Sequence, residues 1–287
     1  MIRVGTCSWT DPTLLKCGRF YPAEARTAEL RLRFYATQFD TVEVDSSYYH
    51  LPSERNSILW VERTPDHFIF NIKAYRSLTL HNRGQQADPL DWKMFESALR
   101  PLEQAGKLGY VLFQFPPWFV ASEENRAYIL ECQERLPDYR LAIQFRHISW
   151  MRDREQAVAT LRFLKEHNLP YVAVDEPQFT PPRTIPPITA VTAPDIAVVR
   201  FNGRNWQNWF ARNIPVVERF HYLYSPEELQ SWVPRIRSLA NKTGTVYIMF
   251  NNCFADDAVV NAREILRQLR QLEQKEDGAD GNAAAPQ

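Results

Sequence analysis

Three acids and three bases stand where β-strands would end. The acids are Glu43, Asp45 and Asp175, and the bases are Lys73, Arg146 and Arg200. Amides accompany them at Asn71, Gln114, Gln144, Asn202 and Asn251. Carboxylates can move protons, and Lys or Arg can hold a phosphate or carboxylate. Side-chain amides orient a ligand through fixed donors and acceptors. Equal numbers of acids and bases also permit a self-satisfied buried network with no ligand. Against that stands desolvation: each buried ion loses several kcal/mol, and apolar side chains would fill the space at less cost. Such a concentration of titratable groups points to a ligand site.

These residues come from eight short runs of alternating pattern: Ile2–Cys7, Thr41–Asp45, Phe68–Lys73, Gly109–Phe115, Arg140–Arg146, Pro170–Asp175, Ile196–Phe201 and Thr245–Asn251. Strand side chains alternate faces with period two, so each run offers one apolar face and a polar end. Helical stretches lie between most of them. Ser53, Asp88-Pro89, Ser122 and Ser225-Pro226-Glu227-Glu228 read as helix starts. Pro234 is expected to kink the helix that follows Ser225. Strands alternating with helices favour parallel pairing and right-handed crossovers. The expected fold is α/β, a (β/α)₈ TIM-type barrel of eight parallel strands, with a doubly wound open sheet as the alternative. One unit departs. Pro177, Pro181, Pro182, Pro186, Pro187 and Pro194 exclude a regular helix, so an extended proline-rich loop replaces the helix after strand six. Residues 1–274 form the single barrel domain. Residues 275–287 are small, polar and without period, which predicts a disordered tail.

A parallel barrel gathers its strand ends at one mouth, where barrel enzymes keep their chemistry. The loops there add Trp9, Tyr48, Tyr49, Trp118, Phe119, Trp150, Trp206 and Trp209. Aromatic faces suit sugar rings or nucleobases, though many will pack beneath loops. After strand seven, Arg200 and Arg204 flank Gly203, a phosphate-binding pattern for a barrel. No cofactor is expected. A single divalent ion on Glu43, Asp45 or Asp175 with His147 is a minority reading, because too few histidines stand at strand ends for a multinuclear site. No Gly-x-Ser-x-Gly or Gly-x-Gly-x-x-Gly occurs.

Composition limits the classes further. The chain has 287 residues, with 34 Lys plus Arg against 34 Asp plus Glu, so no global field favours nucleic acid or an acidic membrane. No apolar run is long enough to cross a bilayer, and the N-terminus enters a strand at once, which predicts a cytoplasmic protein. Cys7, Cys17, Cys132 and Cys253 have no C-x-x-C spacing and are expected as free thiols. Cys7 and Cys253 would end strands one and eight and lie close in a closed barrel.

Seven segments then occur in a telling order: Cys7-Ser8-Trp9, Phe20-Tyr21-Pro22, Thr41-Val42-Glu43-Val44-Asp45-Ser46-Ser47-Tyr48-Tyr49, Phe113-Gln114-Phe115-Pro116-Pro117, Phe145-Arg146-His147-Ile148-Ser149-Trp150, Arg200-Phe201-Asn202-Gly203 and Phe250-Asn251-Asn252. Together they closely resemble the YecE-like family, called domain of unknown function 72, over about residues 2 to 270. The resemblance implies a TIM-type barrel and supplies no reaction. Where the family usually has Glu-Phe-Arg-His, this chain has Gln144-Phe145-Arg146-His147, and an amide cannot relay protons as a carboxylate does. Asn202 stands where many relatives carry histidine, which weakens a metal role.

The expected function is acid–base chemistry on an anionic, ring-bearing substrate: a phosphorylated sugar, a nucleotide or a nucleic-acid end. Glu43, Asp45 and Asp175 would move protons. Lys73, Arg146 and Arg200 would hold the anion. Gln114, Gln144 and Asn251 would orient the ligand, with Tyr48, His147, Trp150 and Asn202 completing the binding set. The alternative is a module that binds a ligand or nucleic acid in the same pocket without turnover, so the sequence leaves enzyme and binding protein both open.

Overall fold

The computed structural model describes residues 1–282, with Glu273 and residues 275–282 as backbone only. In chain order the strands are β1 (Ile2–Thr6), β2 (Thr41–Val44), β3 (Ile69–Lys73), β4 (Leu108–Gln114), β5 (Leu141–Gln144), β6 (Val172–Asp175), β7 (Ile196–Phe201) and β8 (Thr245–Phe250). The helices are α1 (Pro12–Cys17), α2 (Ala28–Gln38), α3 (Glu54–Glu62), α4 (Pro89–Gln104), α5 (Glu123–Arg135), α6 (Arg154–Glu166), α7 (Val216–Arg219), α8 (Pro226–Gln230), α9 (Val233–Ala240) and α10 (Asp257–Asn282).

The helix starts follow from local chemistry. Ser53, Asp88, Ser122 and Asp153 each accept a backbone N–H of the first turn, and Ser225 with Glu228 completes a capping box. Pro234 does not kink a continuous helix. It sits in the first turn of α9, where a missing N–H costs nothing, and the chain breaks between α8 and α9 instead. No helix occurs from 176 to 195, as the prolines require. Helix α10 runs past the boundary expected at 274. The tail expected for 275–287 falls on its end and on residues 283–287, which lie outside the described residues.

All pairing is parallel, in two four-stranded sheets ordered β1-β8-β7-β6 and β2-β3-β4-β5. The single eight-stranded ladder expected from the pattern is interrupted at two seams. At β5–β6 only Ile143 and Tyr171 bridge, with Ile143 N–H donating to Pro170 O at 2.8 Å. Pro170 itself has no N–H to continue the ladder. At β1–β2 the Tyr35 hydroxyl stands between the strands. It accepts Thr6 N–H at 2.9 Å and donates to Thr41 O at 3.2 Å. Gly5 faces Thr41 so closely that a Cβ would lie 2.2 Å from the Thr41 carbonyl oxygen.

Register fixes which side chains share a face. Glu43 pairs with Asn71, Gln114 with Gln144, Val174 with Arg200, and Arg200 with Met249. These point to the space between the sheets, whereas Phe201 faces Tyr224 and Trp232 in the outer layer.

Candidate functional site

Arg200 occupies the centre of that polar space, fully buried. Its Nη2 donates to Glu43 Oε1 at 2.6 Å and lies 3.5 Å from Cys7 Sγ. Its Nη1 donates to Gln144 Oε1 at 2.8 Å and Gln114 Oε1 at 3.2 Å. The Tyr110 hydroxyl completes Glu43 by donating to Oε2 at 2.9 Å. Glu43 and Arg200 therefore satisfy one another, and neither reaches the cavity wall. This part of the expected site is a buried network that supports the floor. Truncating one member of such a pair leaves an uncompensated charge, a large cost.

Above the floor lies a cavity of about 540 Å³ at the C-terminal ends of the strands. Asp45, Lys73, Gln114, Arg146 and Asn251 line it, as does Tyr48. Asp45 Oδ2 accepts from Lys73 Nζ at 3.3 Å, and Arg200 Nη2 lies 3.6 Å from Asp45 Oδ1. Burial pushes the Glu43 carboxyl up against the pull of Arg200, and the neighbouring Asp45 charge adds to the rise. Burial also acts on Asp45, but Lys73 and Arg200 outweigh it and hold its carboxyl below the ordinary range. The two shifts run in opposite directions, and Asp45 is the member that meets the cavity.

Among the described residues no carboxylate lies within ion-pair distance of Arg146. It forms no hydrogen bond or ion pair among the described residues and stacks on Trp209, with Cζ 5.1 Å from the ring centroid. Burial lowers its pKa, Glu176 opposes that, and the Arg219 and Arg200 charges add to it. Arg219 lines the same cavity from α7. Its Nη2 donates to Ala211 O at 3.2 Å, while its buried Nε has no acceptor. Of the two acids on the wall, Asp45 is matched by Lys73, and Asp11 caps α1 by accepting from Thr13. Two guanidinium groups therefore face the cavity without an anion. His81 also lines it. Its Nδ1 lies 2.8 Å from the Thr79 hydroxyl, and burial with the Lys73, Arg146 and Arg76 charges pushes its pKa down to about 3, so the imidazole is neutral.

Several expected residues lie elsewhere. Asp175 pairs in register with Phe201 and so faces the outer layer, not the cavity. It accepts from Arg204 Nε and Nη2 at 2.7 and 2.6 Å, the Tyr224 hydroxyl at 2.9 Å and Trp232 Nε1 at 2.7 Å. A carboxylate so engaged ties β6 to the outer layer. The phosphate pattern at Arg200 and Arg204 dissolves with it, because Arg204 is held by Asp175 and Glu228. His147 caps a 3-10 turn, its Nδ1 engaged with Ser149. Trp150 is fully buried and donates its indole N–H to Phe119 O at 2.8 Å. Asn202 is buried behind Asn251. The aromatic mouth narrows to Tyr48, Tyr49 and Trp118 with Phe220, and Trp206 lies outside it. Pattern reading missed Arg219, His81 and Glu176. Glu176 was within reach, because strand parity carried forward from Val174 points to 176 and not 175.

Cys7, Glu43 and Asp45 place one ligand atom each within 4.8 Å of the others. They do not fit a cation, because the Arg200 guanidinium already contacts all three and supplies the positive charge there. The divalent set weighed from the sequence is not assembled either, since Asp175 and His147 are engaged elsewhere. Cys7 and Cys253 are free and both line the cavity, with Cys253 Sγ 3.7 Å from Cys7 O; burial pushes both thiols up. No described helix is long and apolar enough to cross a membrane.

Comparison with known proteins agrees with the resemblance carried by the motifs. The UPF0759 protein YunF of Bacillus subtilis (strain 168) is 34% identical over 278 residues, covering 94% of this chain and 95% of YunF. A crystal structure of a DUF72 family protein of Enterococcus faecalis V583 has a TM-score of 0.83 at 28% identity, covering 94% of this chain and 96% of that one. One from Thermotoga maritima MSB8 has a TM-score of 0.81 at 33% identity, covering 94% and 99%. The family model described as protein of unknown function DUF72 matches residues 3–286, and the chain belongs to that family.

Proposed function

We propose that the two sheets close as one barrel around the Glu43–Arg200 network, and that the cavity above it binds an anionic, ring-bearing ligand in a cytoplasmic enzyme. Arg146 and Arg219 hold the anion, and Asp45 serves as the proton acceptor. Tyr48, Tyr49 and Trp118 flank the ring. The observation that carries this reading is the pair of arginines facing one cavity with no carboxylate ion-paired to either among the described residues. Unpaired guanidinium groups at a partly buried wall match the bidentate geometry of phosphate or carboxylate. Asp45 supplies acid–base chemistry because Lys73 and Arg200 hold its charge at the cavity wall, while Glu43 behind it is spent on Arg200 and Tyr110. A phosphorylated sugar, a nucleotide or a nucleic-acid end satisfies both requirements.

The test is a thermal-shift panel of sugar phosphates and nucleoside monophosphates against wild type, Arg146→Met and Arg219→Met. Stabilisation by at least one member in wild type, lost in both variants, is expected. No shift from any member, or a shift that survives in both variants, overturns the reading. The second reading is a binding module without turnover. It draws on Gln144, an amide with a buried, unpartnered Nε2 in place of the carboxylate that the family resemblance implies. Asp45→Asn separates the two: turnover of the bound ligand lost with binding retained supports the enzyme, and binding with no turnover in wild type supports the module.

A further inference from the structure

Glu176, Asn202 and Asn251 form a hydrogen-bonded line that begins under the proline-rich segment and ends at the cavity wall. Glu176 Oε1 accepts the backbone N–H of Ile185 at 2.9 Å. Glu176 Oε2 accepts from Asn202 Nδ2 at 3.4 Å, and Asn202 Oδ1 accepts from Asn251 Nδ2 at 3.0 Å. All three side chains are buried, and of the three only Asn251 borders the main cavity. Glu176 borders a separate cavity of about 500 Å³ with Asp175, Arg204 and Trp206.

The direction of this line is fixed from one end. An amide's two ends are told apart by what they bond, and here the first member is a carboxylate. Glu176 accepts at both carboxyl oxygens, from the Ile185 N–H and from Asn202 Nδ2; burial pushes its pKa up, and Arg146 with these two hydrogen bonds opposes the rise. Asn202 must therefore turn its NH₂ to Glu176 and its carbonyl to Asn251. Asn251 must then spend its NH₂ on Asn202. Its Oδ1 is left toward the ligand space and accepts no hydrogen bond among the described residues. A carboxylate beyond the ligand's reach thus decides the chemistry of an atom within it.

We propose that Glu176 is a positioning residue that sets the polarity of Asn251, so that the cavity selects anions carrying a hydrogen-bond donor, a hydroxyl or ring N–H, beside the charged group. This deepens the ligand-site reading above and rests on it for its functional meaning. The line itself can be tested without a ligand, so its failure and the failure of the anion site are distinguishable.

The discriminating substitution is nearly isosteric. In Glu176→Gln the amide at 176 keeps its oxygen on the Ile185 N–H and turns its NH₂ to Asn202. Asn202 and Asn251 each rotate in response, and Asn251 then offers NH₂ to the cavity. Adding Asn202→Asp restores the original direction, because a carboxylate at 202 accepts from both neighbours. The measurement is solvent exchange of the Asn251 side-chain amide protons by NMR in ligand-free protein. Exchange is expected to be slow in wild type, at least about tenfold faster in Glu176→Gln as the bond to Asn202 is lost, and slow again in the double variant. Equal exchange in all three folded proteins overturns the proposal. So does fast exchange that the double variant fails to slow, which would mean loosening without reversal. Should Glu176→Gln not fold, neutron diffraction of wild type decides. Deuterons of Asn251 Nδ2 directed at Asn202 support the line, and deuterons directed into the cavity overturn it.

Discussion

His81 shows how position changes the chemistry of a residue that looked ordinary in the chain. It lies in the long loop after β3, against Tyr48 and Trp118, with ring centroids 4.9 and 5.9 Å away. Burial and three neighbouring cations hold its pKa at about 3, against 6.5 for the free side chain. Between those values the unfolded chain binds a proton that the folded protein refuses. Stability contributed by neutral His81 is therefore complete above about 6.5 and is lost as pH falls toward about 3. Urea unfolding of wild type across that window should lose stability more steeply than His81→Gln. Parallel curves would show that the imidazole is not held neutral. The same scale explains the Asp175 error. Two acids stand side by side at 175 and 176, and strand parity from Val174 turns 175 outward. Register with β7 agrees, since Val174 pairs with Arg200 and Asp175 with Phe201.

At the element scale, the strand and helix order follows the sequence closely because alternation, caps and prolines are local signals. The interruptions of the ladder are not local. The β1–β2 seam depends on Tyr35, a residue of α2 that reads in sequence as one more apolar position. Its hydroxyl is the acceptor for the buried Thr6 N–H. Tyr35→Phe should cost about 1–3 kcal/mol, the price of an unsatisfied buried donor, measured as a shift in the urea midpoint at unchanged slope. A neutral substitution would mean that Thr6 finds another acceptor and the seam does not rely on this hydroxyl. Helix α7 is a second case. Its four residues carry Arg219 to the cavity wall, and a segment that short shows no helical period.

At the scale of the whole molecule, the balanced net charge conceals a local excess of positive charge. The cavity draws residues from the β1, β2, β3, β4, β5, β7 and β8 ends of the chain, including the long excursion after β7. That excursion brings Val216, Val217, Arg219 and Phe220 over the cavity, while Arg212 within it is exposed. A ligand bridging Arg146 and Arg219 should tie the excursion to the strand ends. Trypsin cleavage after Arg212 should then slow when a stabilising phosphate ligand is present, and this protection should vanish in Arg219→Met. Cleavage at an unchanged rate with ligand bound would place the anion away from α7.

By itself the sequence determined the parallel α/β architecture, the order of the eight strands, the proline-rich segment without a helix, and the family. It also marked Asp45, Lys73, Gln114, Arg146 and Asn251 as cavity residues, because period two and strand ends are read along one chain. Tertiary structure alone decided which charges cancel. Glu43 pairs with Arg200 and Asp175 with Arg204 across 157 and 29 residues of chain, whereas Arg146 and Arg219 have no ion-pair partner among the described residues. The physical reason is that a charge acts through its distance to partners and its distance from water. Neither quantity is written in the order of residues.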